Sequence, residues 1–181
     1  ILKNLKSHAI NSHYIQIIAD QQSAMSVMLI GRDGEHSAIC YRGANDLITI
    51  DFNTIAALNT PWLYISSLGG HSWYKNLINI FSSNKLIAWN PGQTQLIAGV
   101  AKLRKFLNKT AIFIVNHDEA LQLVSTDNSL RPQQMKVYNQ NIELLIEKLK
   151  SYGPQLVIIT KDKDGAWSYD GKRLIHQPAY L

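Results

Sequence analysis

Residues 86–124 read LIAWNPGQTQLIAGVAKLRKFLNKTAIFIVNHDEALQLV, and this stretch decides the fold class. Residues 86–90 form an apolar run that Pro91-Gly92 stops, since proline cannot donate to a sheet ladder and glycine favours a turn. Leu96, Val100, Leu103 and Leu107 recur at helical spacing, which predicts an amphipathic helix over 94–107. Residues 111–115 predict a second strand, and 117–124 a short helix. Strands apolar on both faces and separated by helices imply a parallel sheet covered by helices on both sides. Right-handed crossovers gather the strand C-termini at one edge, where such sheets bind ligands.

The pattern continues outward. Towards the C-terminus, residues 132–152 predict one longer helix with an apolar stripe through Met135, Ile142, Leu145 and Leu149, ended by Gly153. Residues 156–160 predict a strand, followed by a hairpin, 166–169 with 173–176, around Asp170-Gly171. Towards the N-terminus, residues 62–68 predict a strand, Gly69-Gly70 a turn, and Ser72 a cap for a helix running to Phe81. Further upstream, apolar runs 26–31 and 36–41 flank Arg32-Asp33-Gly34-Glu35, a hairpin signal whose Asp-Gly supplies positive φ angles. Residues 14–19 are β-prone, and residues 1–7 read as the end of a helix.

Composition excludes several classes. The 181 residues suffice for one domain with a substantial core. With 46% hydrophobic and 17% charged residues, the chain is an ordinary globular mixture. No apolar run reaches the ~20 residues a bilayer span needs, and no signal-peptide stretch is present, so no membrane association is expected. Cys40 is the only cysteine; it forms no internal disulfide, and a reducing cytoplasmic setting is expected. The six histidines include no pair at the i, i+4 spacing of a helical metal site. The net charge of +5 favours polyanions, but the basic residues are spread out without the aromatic and basic clustering of nucleic-acid surfaces, so no nucleic acid is expected as partner.

The segments that follow strands are the candidate sites, and each has two readings. Asn116 and Glu119, three apart at a helix start, suit either a capping box or the water shell of Mg²⁺ beside phosphates. Thr160 to Gly165 offers a hydroxyl and free backbone N–H groups for phosphate, or a plain polar turn. Asn90 can bond a substrate hydroxyl, or begin an Asn-Pro turn. Gly69-Gly70-His71-Ser72 can hold an anion, or simply turn.

Taken in order, these segments resemble the ribokinase-like (PfkB-type) carbohydrate kinases. SVMLIGRDGEHSAICYRGAND (26–46) resembles that family's lid hairpin. LYISSLGG, IAWNPGQTQL, IFIVNHDEALQLV and VIITKDKDGAWSYDGK resemble its successive core segments. Asn116 and Glu119 fall on its Asn-x-x-Glu motif, and Thr160 and Gly165 on its Thr-x-Gly-x-x-Gly motif. The resemblance implies a three-layer α/β/α fold with a mostly parallel sheet and a small β lid: one partial domain over 1–181, lid strands about 14–42, core about 60–181. It implies ATP-dependent phosphorylation of a hydroxyl on a sugar or nucleoside, with ATP and Mg²⁺ as cofactors. Asn116, Glu119, Thr160 and Gly165 would then serve the nucleotide, with Glu119 reaching Mg²⁺ through water. Ser26, Met28, Cys40, Arg42 and Asn90 would serve the acceptor. Lids of this family pair between subunits, which implies a homodimer.

Two departures from the pattern shape the expectation. Asp162 stands where the motif has its first glycine; a carboxylate there repels a triphosphate, with Lys161 and Lys163 placed to offset it. That departure supports an alternative, a catalytically degenerate binding or regulatory protein on the kinase scaffold. The family's Gly-Ala-Gly-Asp segment, which carries the general base, is expected beyond Leu181, and its sugar-gripping Gly-Gly segment upstream of Ile1. Residues 1–181 are therefore expected to be an internal fragment with no turnover alone.

Overall fold

The structure, a computed structural model, describes residues 2–32 and 36–180. It forms two compact units, one of residues 1–48 with 70–72 and the other of residues 49–69 with 73–181.

In the smaller unit, helix α1 spans Leu2–Ser7, and strands β1 (Met25–Ile30) and β2 (His36–Tyr41) pair antiparallel from Met25↔Tyr41 to Ile30↔His36. The expected hairpin is present, although Asp33, Gly34 and Glu35 of its turn lie outside the described residues. Residues 14–19 are a correction: they join no ladder. β-prone side chains do not make a strand without a neighbouring strand to bond, and here Ile17 is 78% exposed. Arg42 precedes a 3₁₀ turn, Gly43–Leu47.

The larger unit opens with helix α2 (Phe52–Ala57), capped by the Asp51 carboxylate, which accepts the Thr54 N–H at 2.9 Å. Next come β3 (Trp62–Ile65), α3 (Trp73–Phe81), β4 (Leu86–Trp89) and α4 (Gln93–Leu107). They are followed by β5 (Ile112–Asn116), α5 (His117–Ser125), α6 (Pro132–Gln140), α7 (Ile142–Lys150) and β6 (Leu156–Thr160). The hairpin strands β7 (Ala166–Tyr169) and β8 (Leu174–Gln177) complete the unit. The sheet order is β3-β4-β5-β6-β7-β8, parallel through β6 and antiparallel after it. The α/β class with a mostly parallel sheet is as expected.

One face of that sheet carries the core. Ile65, Ile87, Trp89, Phe113, Val115, Val157 and Ile159 form one contiguous cluster with Leu77, Leu103, Leu107, Leu123, Leu145 and Leu149 of the helices. The other face holds Ile112, Ile114, Leu156 and Ile158, only half-buried, while Tyr64 is 65% and Leu86 44% exposed. The second helical layer expected there is not formed by the described residues. Sheet order supplies the reason. Each parallel strand is added on the same side of the last, and a right-handed crossover repeated in one direction places every connecting helix on the same face.

Two expected helices are interrupted. The helix expected over 94–107 runs over 93–107 and breaks at Gly99, whose φ of 84° and ψ of 166° lie outside helical space. The freed Val100 N–H donates to Thr126 Oγ1 at 3.0 Å, and that hydroxyl donates to the Leu123 carbonyl at 2.6 Å. The expected single helix 132–152 is two. Asn141, at φ −130° and ψ 101°, ends α6 and caps α7 by accepting the Leu144 N–H at 3.0 Å. The expected strand 62–68 stops at Ile65.

Between α5 and α7 lies a polar tie. Asp127 accepts from Ser129 Oγ (2.7 Å) and Tyr152 Oη (3.0 Å) and pairs with Lys148 Nζ (2.9 Å). Burial pushes the carboxyl up, but these hydrogen bonds outweigh it and hold Asp127 well below the usual carboxylate range. Burial, then the Asp127 hydrogen bond, pushes the Tyr152 hydroxyl up.

Candidate functional site

The parallel strands β3 to β6 end at one edge, and the residues leaving that edge build the candidate site. The ladder sets Asn116, the last residue of β5, opposite Thr160, the last residue of β6. Neighbouring strands lie about 4.8 Å apart, so two of the expected nucleotide segments start side by side. Both residues are exposed.

Asn116 and Glu119 form the capping box. The Asn116 side-chain oxygen accepts the Glu119 N–H, and Glu119 Oε2 accepts the Asn116 N–H, each at 2.8 Å. The two readings of this pair are compatible. The cap fixes both side chains and occupies one polar atom of each. Asn116 Nδ2 and Glu119 Oε1 carry no hydrogen bond among the described residues. No cluster of three or more His, Cys, Asp or Glu side chains suited to a metal ion is found among those residues. A single free carboxylate oxygen beside an amide fits a hydrated cation held through water, not a dehydrated one held in a cage.

The turn after β6 is held tightly. Lys161 N–H donates to the Gly165 carbonyl (2.8 Å), Asp164 N–H to Lys161 (2.9 Å) and Gly165 N–H to Asp162 (3.1 Å). The N–H groups of Asp162 and Lys163 are left without acceptors among the described residues. Asp162 has a φ of 39°, the left-handed region where glycine is at ease and aspartate is one of the few tolerated replacements. The motif position thus keeps its backbone shape while gaining a carboxylate. Lys161 does not offset that carboxylate: its Nζ pairs with Asp164 Oδ2 at 3.1 Å. Gly165 has a packing role. Its φ is 93°, and a Cβ there would meet the Gln177 carbonyl.

Asn90 is half-buried. Its Nδ2 donates to the Ile114 carbonyl at 2.9 Å, tying the end of β4 to β5. Its Oδ1 carries no hydrogen bond among the described residues and is open to a hydroxyl donor. In the smaller unit, Ser26 and Cys40 are cross-strand partners, with Ser26 Oγ donating to Cys40 Sγ at 3.4 Å. Met28 lies two residues along on the same face, exposed, and Arg42 follows β2, also exposed.

Two contributions escape the sequence reading. Gln95 is fully buried; its Oε1 accepts the Gly92 N–H (2.9 Å) and its Nε2 donates to the Leu68 carbonyl. It thereby joins the segments leaving β3 and β4. The available signal was a glutamine three residues after Gly92, where its side chain can reach back to the N–H at the helix start. The other contribution is His176. Its Nε2 lies 2.8 Å from the Asp164 carbonyl, and its ring stacks on Trp167 with centroids 4.0 Å apart and planes at 10°. No local sequence signal announces that contact.

A mostly parallel sheet with polar groups gathered at the strand C-termini makes this an α/β protein with its candidate site at the sheet edge. The sequence pattern of pfkB family carbohydrate kinases matches residues 1–180, and the chain belongs to that family. An Archaeoglobus fulgidus protein described as an uncharacterized sugar kinase is 22% identical over 160 residues, covering 84% of this chain and 62% of that relative. Among solved structures, the fold is similar to Burkholderia thailandensis nucleoside kinase in complex with inosine (TM-score 0.75, 16% identity, 99% of this chain and 54% of that one). It is equally similar to ribokinase from Cryptococcus neoformans in complex with ADP (TM-score 0.75, 20% identity, 99% and 58%). The chain thus spans a little over half the length of the proteins it matches.

Proposed function

We propose that the protein transfers a phosphoryl group from ATP to a hydroxyl of a sugar or nucleoside. The observation that carries this reading is the side-by-side exit of Asn116 and Thr160 from the sheet edge, in a chain whose family consists of carbohydrate kinases. The relatives that hold inosine and ADP support the acceptor class and the nucleotide.

In this reading Thr160 and the unpaired N–H groups of Asp162 and Lys163 receive the nucleotide's phosphates. Gly165 keeps the turn closed. Asn116 and Glu119 hold the water shell of Mg²⁺, with the cap fixing their orientation. The cation would neutralise charge on the transferring phosphoryl group. Asn90 Oδ1 accepts a hydrogen bond from the acceptor. No residue of the chain is assigned as the proton acceptor. Catalysis rests on positioning and charge stabilisation. The hairpin exposes Ile30 (74%) and Ile39 (64%), and a two-stranded ribbon is marginal alone; pairing with a second copy would cover it, giving a homodimer.

ATP consumption by the protein at its full natural length, measured across a panel of sugars and nucleosides, tests the reading. Saturable, Mg²⁺-dependent turnover with at least one acceptor is expected, and none with any acceptor refutes it. Asp162 favours a second reading, a binding or regulatory protein on the same scaffold. Retained acceptor binding with no Mg-ATP binding selects it.

A further inference from the structure

We propose that His176 is a positioning residue that sets the shape of the 161–165 turn and, through it, nucleotide affinity. The inference rests on the nucleotide reading above for its functional half only.

The turn is held from within and from outside. Its internal hydrogen bonds close it locally, but Asp162 sits at a φ of 39°, and such a conformation persists only when the surroundings over-determine it. Two constraints come from strand β8 and the residues just after it. One is the seat of Gly165 against Gln177, Pro178 and Ala179. The other is His176. A carbonyl oxygen only accepts, so the 2.8 Å contact to Asp164 makes Nε2 the protonated nitrogen. The imidazole reaches that carbonyl already oriented, because Trp167, its cross-strand partner, stacks on it.

The consequence lies in the same peptide. Asp164 is also the residue whose carboxylate pairs with Lys161 Nζ. Releasing its carbonyl leaves the peptide between Asp164 and Gly165 held only by the Gly165 N–H bond to the Asp162 carbonyl at 3.1 Å, which loosens the Lys161 pair and relaxes the backbone that presents the N–H groups of Asp162 and Lys163. A residue twelve positions away in sequence therefore controls the geometry of the phosphate-facing turn without touching the ligand.

Two substitutions in the protein at its full natural length separate donor from ring. His176→Phe keeps a ring on Trp167 and removes the donor. His176→Gln keeps an amide N–H close to the Nε2 position and removes the ring. The readouts are the backbone amide resonances of residues 161–165 and the Mg-ATP dissociation constant by calorimetry. His176→Phe is expected to move the turn resonances and weaken Mg-ATP about fivefold, the worth of one hydrogen bond. His176→Gln is expected to restore both, with affinity within about twofold of wild type. A role in stability alone would lower the melting temperature of both variants without splitting them. Unmoved resonances with wild-type affinity in His176→Phe overturn the proposal, as does a His176→Gln no better than His176→Phe. Wild-type protein that binds no Mg-ATP refutes the nucleotide reading instead. The resonance split then decides the positioning role alone: its presence supports the role, and its absence overturns it.

Discussion

Replacing Gly99 by alanine gives a prediction whose sign separates two folds of the same sequence. If residues 93–107 were one continuous helix, Gly99→Ala would stabilise the protein by about 1 kcal/mol, because alanine is the better helix former. In the structure Gly99 has a φ of 84° and a ψ of 166°, a region essentially confined to glycine, where another residue costs about 1–3 kcal/mol. The new Cβ would also lie 3.1 Å from both Cβ and Oγ1 of Thr126. Relaxing residue 99 to helical angles offers no escape: it breaks the 3.0 Å bond from Val100 N–H to Thr126 Oγ1 and redirects the second half of the helix, whose Val100, Leu103, Phe106 and Leu107 are seated in the core. A net loss of about 2–3 kcal/mol lowers the melting temperature by roughly 4–12 °C for a chain of this size. Urea unfolding followed by tryptophan fluorescence and far-ultraviolet circular dichroism measures it. Thr126→Val, which removes the acceptor, should destabilise in the same direction. An unchanged or raised midpoint for Gly99→Ala would refute the broken helix and the packing of α4 on α5 built upon it.

Asn141→Ala should lower stability by about 0.5–2 kcal/mol through the lost α7 cap, seen as an earlier urea midpoint; a continuous helix would gain instead. Asp127, whose carboxyl is held low, contributes stability that is present above the ordinary carboxylate value of about 3.9 and is lost as pH falls below it. Tyr152, whose hydroxyl is pushed up, contributes stability that is present below about pH 10 and is lost above it. Asp127→Asn should flatten the acid limb and Tyr152→Phe the alkaline limb of the urea midpoint plotted against pH. Asp162→Gly should leave the turn intact, relieve its positive φ and strengthen Mg-ATP binding, read by calorimetry; weaker binding would show that the carboxylate helps the ligand.

The strand–helix alternation over 62–124 was legible because strand and helix periods differ and Pro91-Gly92 marks the boundary. The breaks were not. Gly99 lies inside an unbroken stripe from Leu96 to Leu107, and what stabilises the break is Thr126, a residue from another element. The stripe through Met135, Ile142 and Leu149 likewise runs past Asn141, whose cap becomes visible only once α6 and α7 are separate. Residues 14–19 misled because β-propensity records a side chain's fit to a sheet, not the presence of one. The one-sided cover of the sheet depends on strand order, which the local pattern does not carry. At the candidate site, the Asn116–Glu119 capping box was legible from its three-residue spacing. Gln95 bridging to Leu68 and His176 reaching Asp164 depend on contacts between distant segments.

Calorimetric titration of Mg-ATP into the protein at its full natural length, wild type beside Glu119→Gln, tests the proposal that the Asn116–Glu119 pair serves a Mg²⁺-bound nucleotide. The Gln side chain still accepts the Asn116 N–H, so the cap and the fold should persist while the charge facing the cation is lost. Saturable, Mg²⁺-dependent binding to wild type is expected, weakened about tenfold in Glu119→Gln with the urea midpoint unchanged. No binding to wild type at saturating Mg-ATP, or equal affinity in the two proteins, would contradict that proposal.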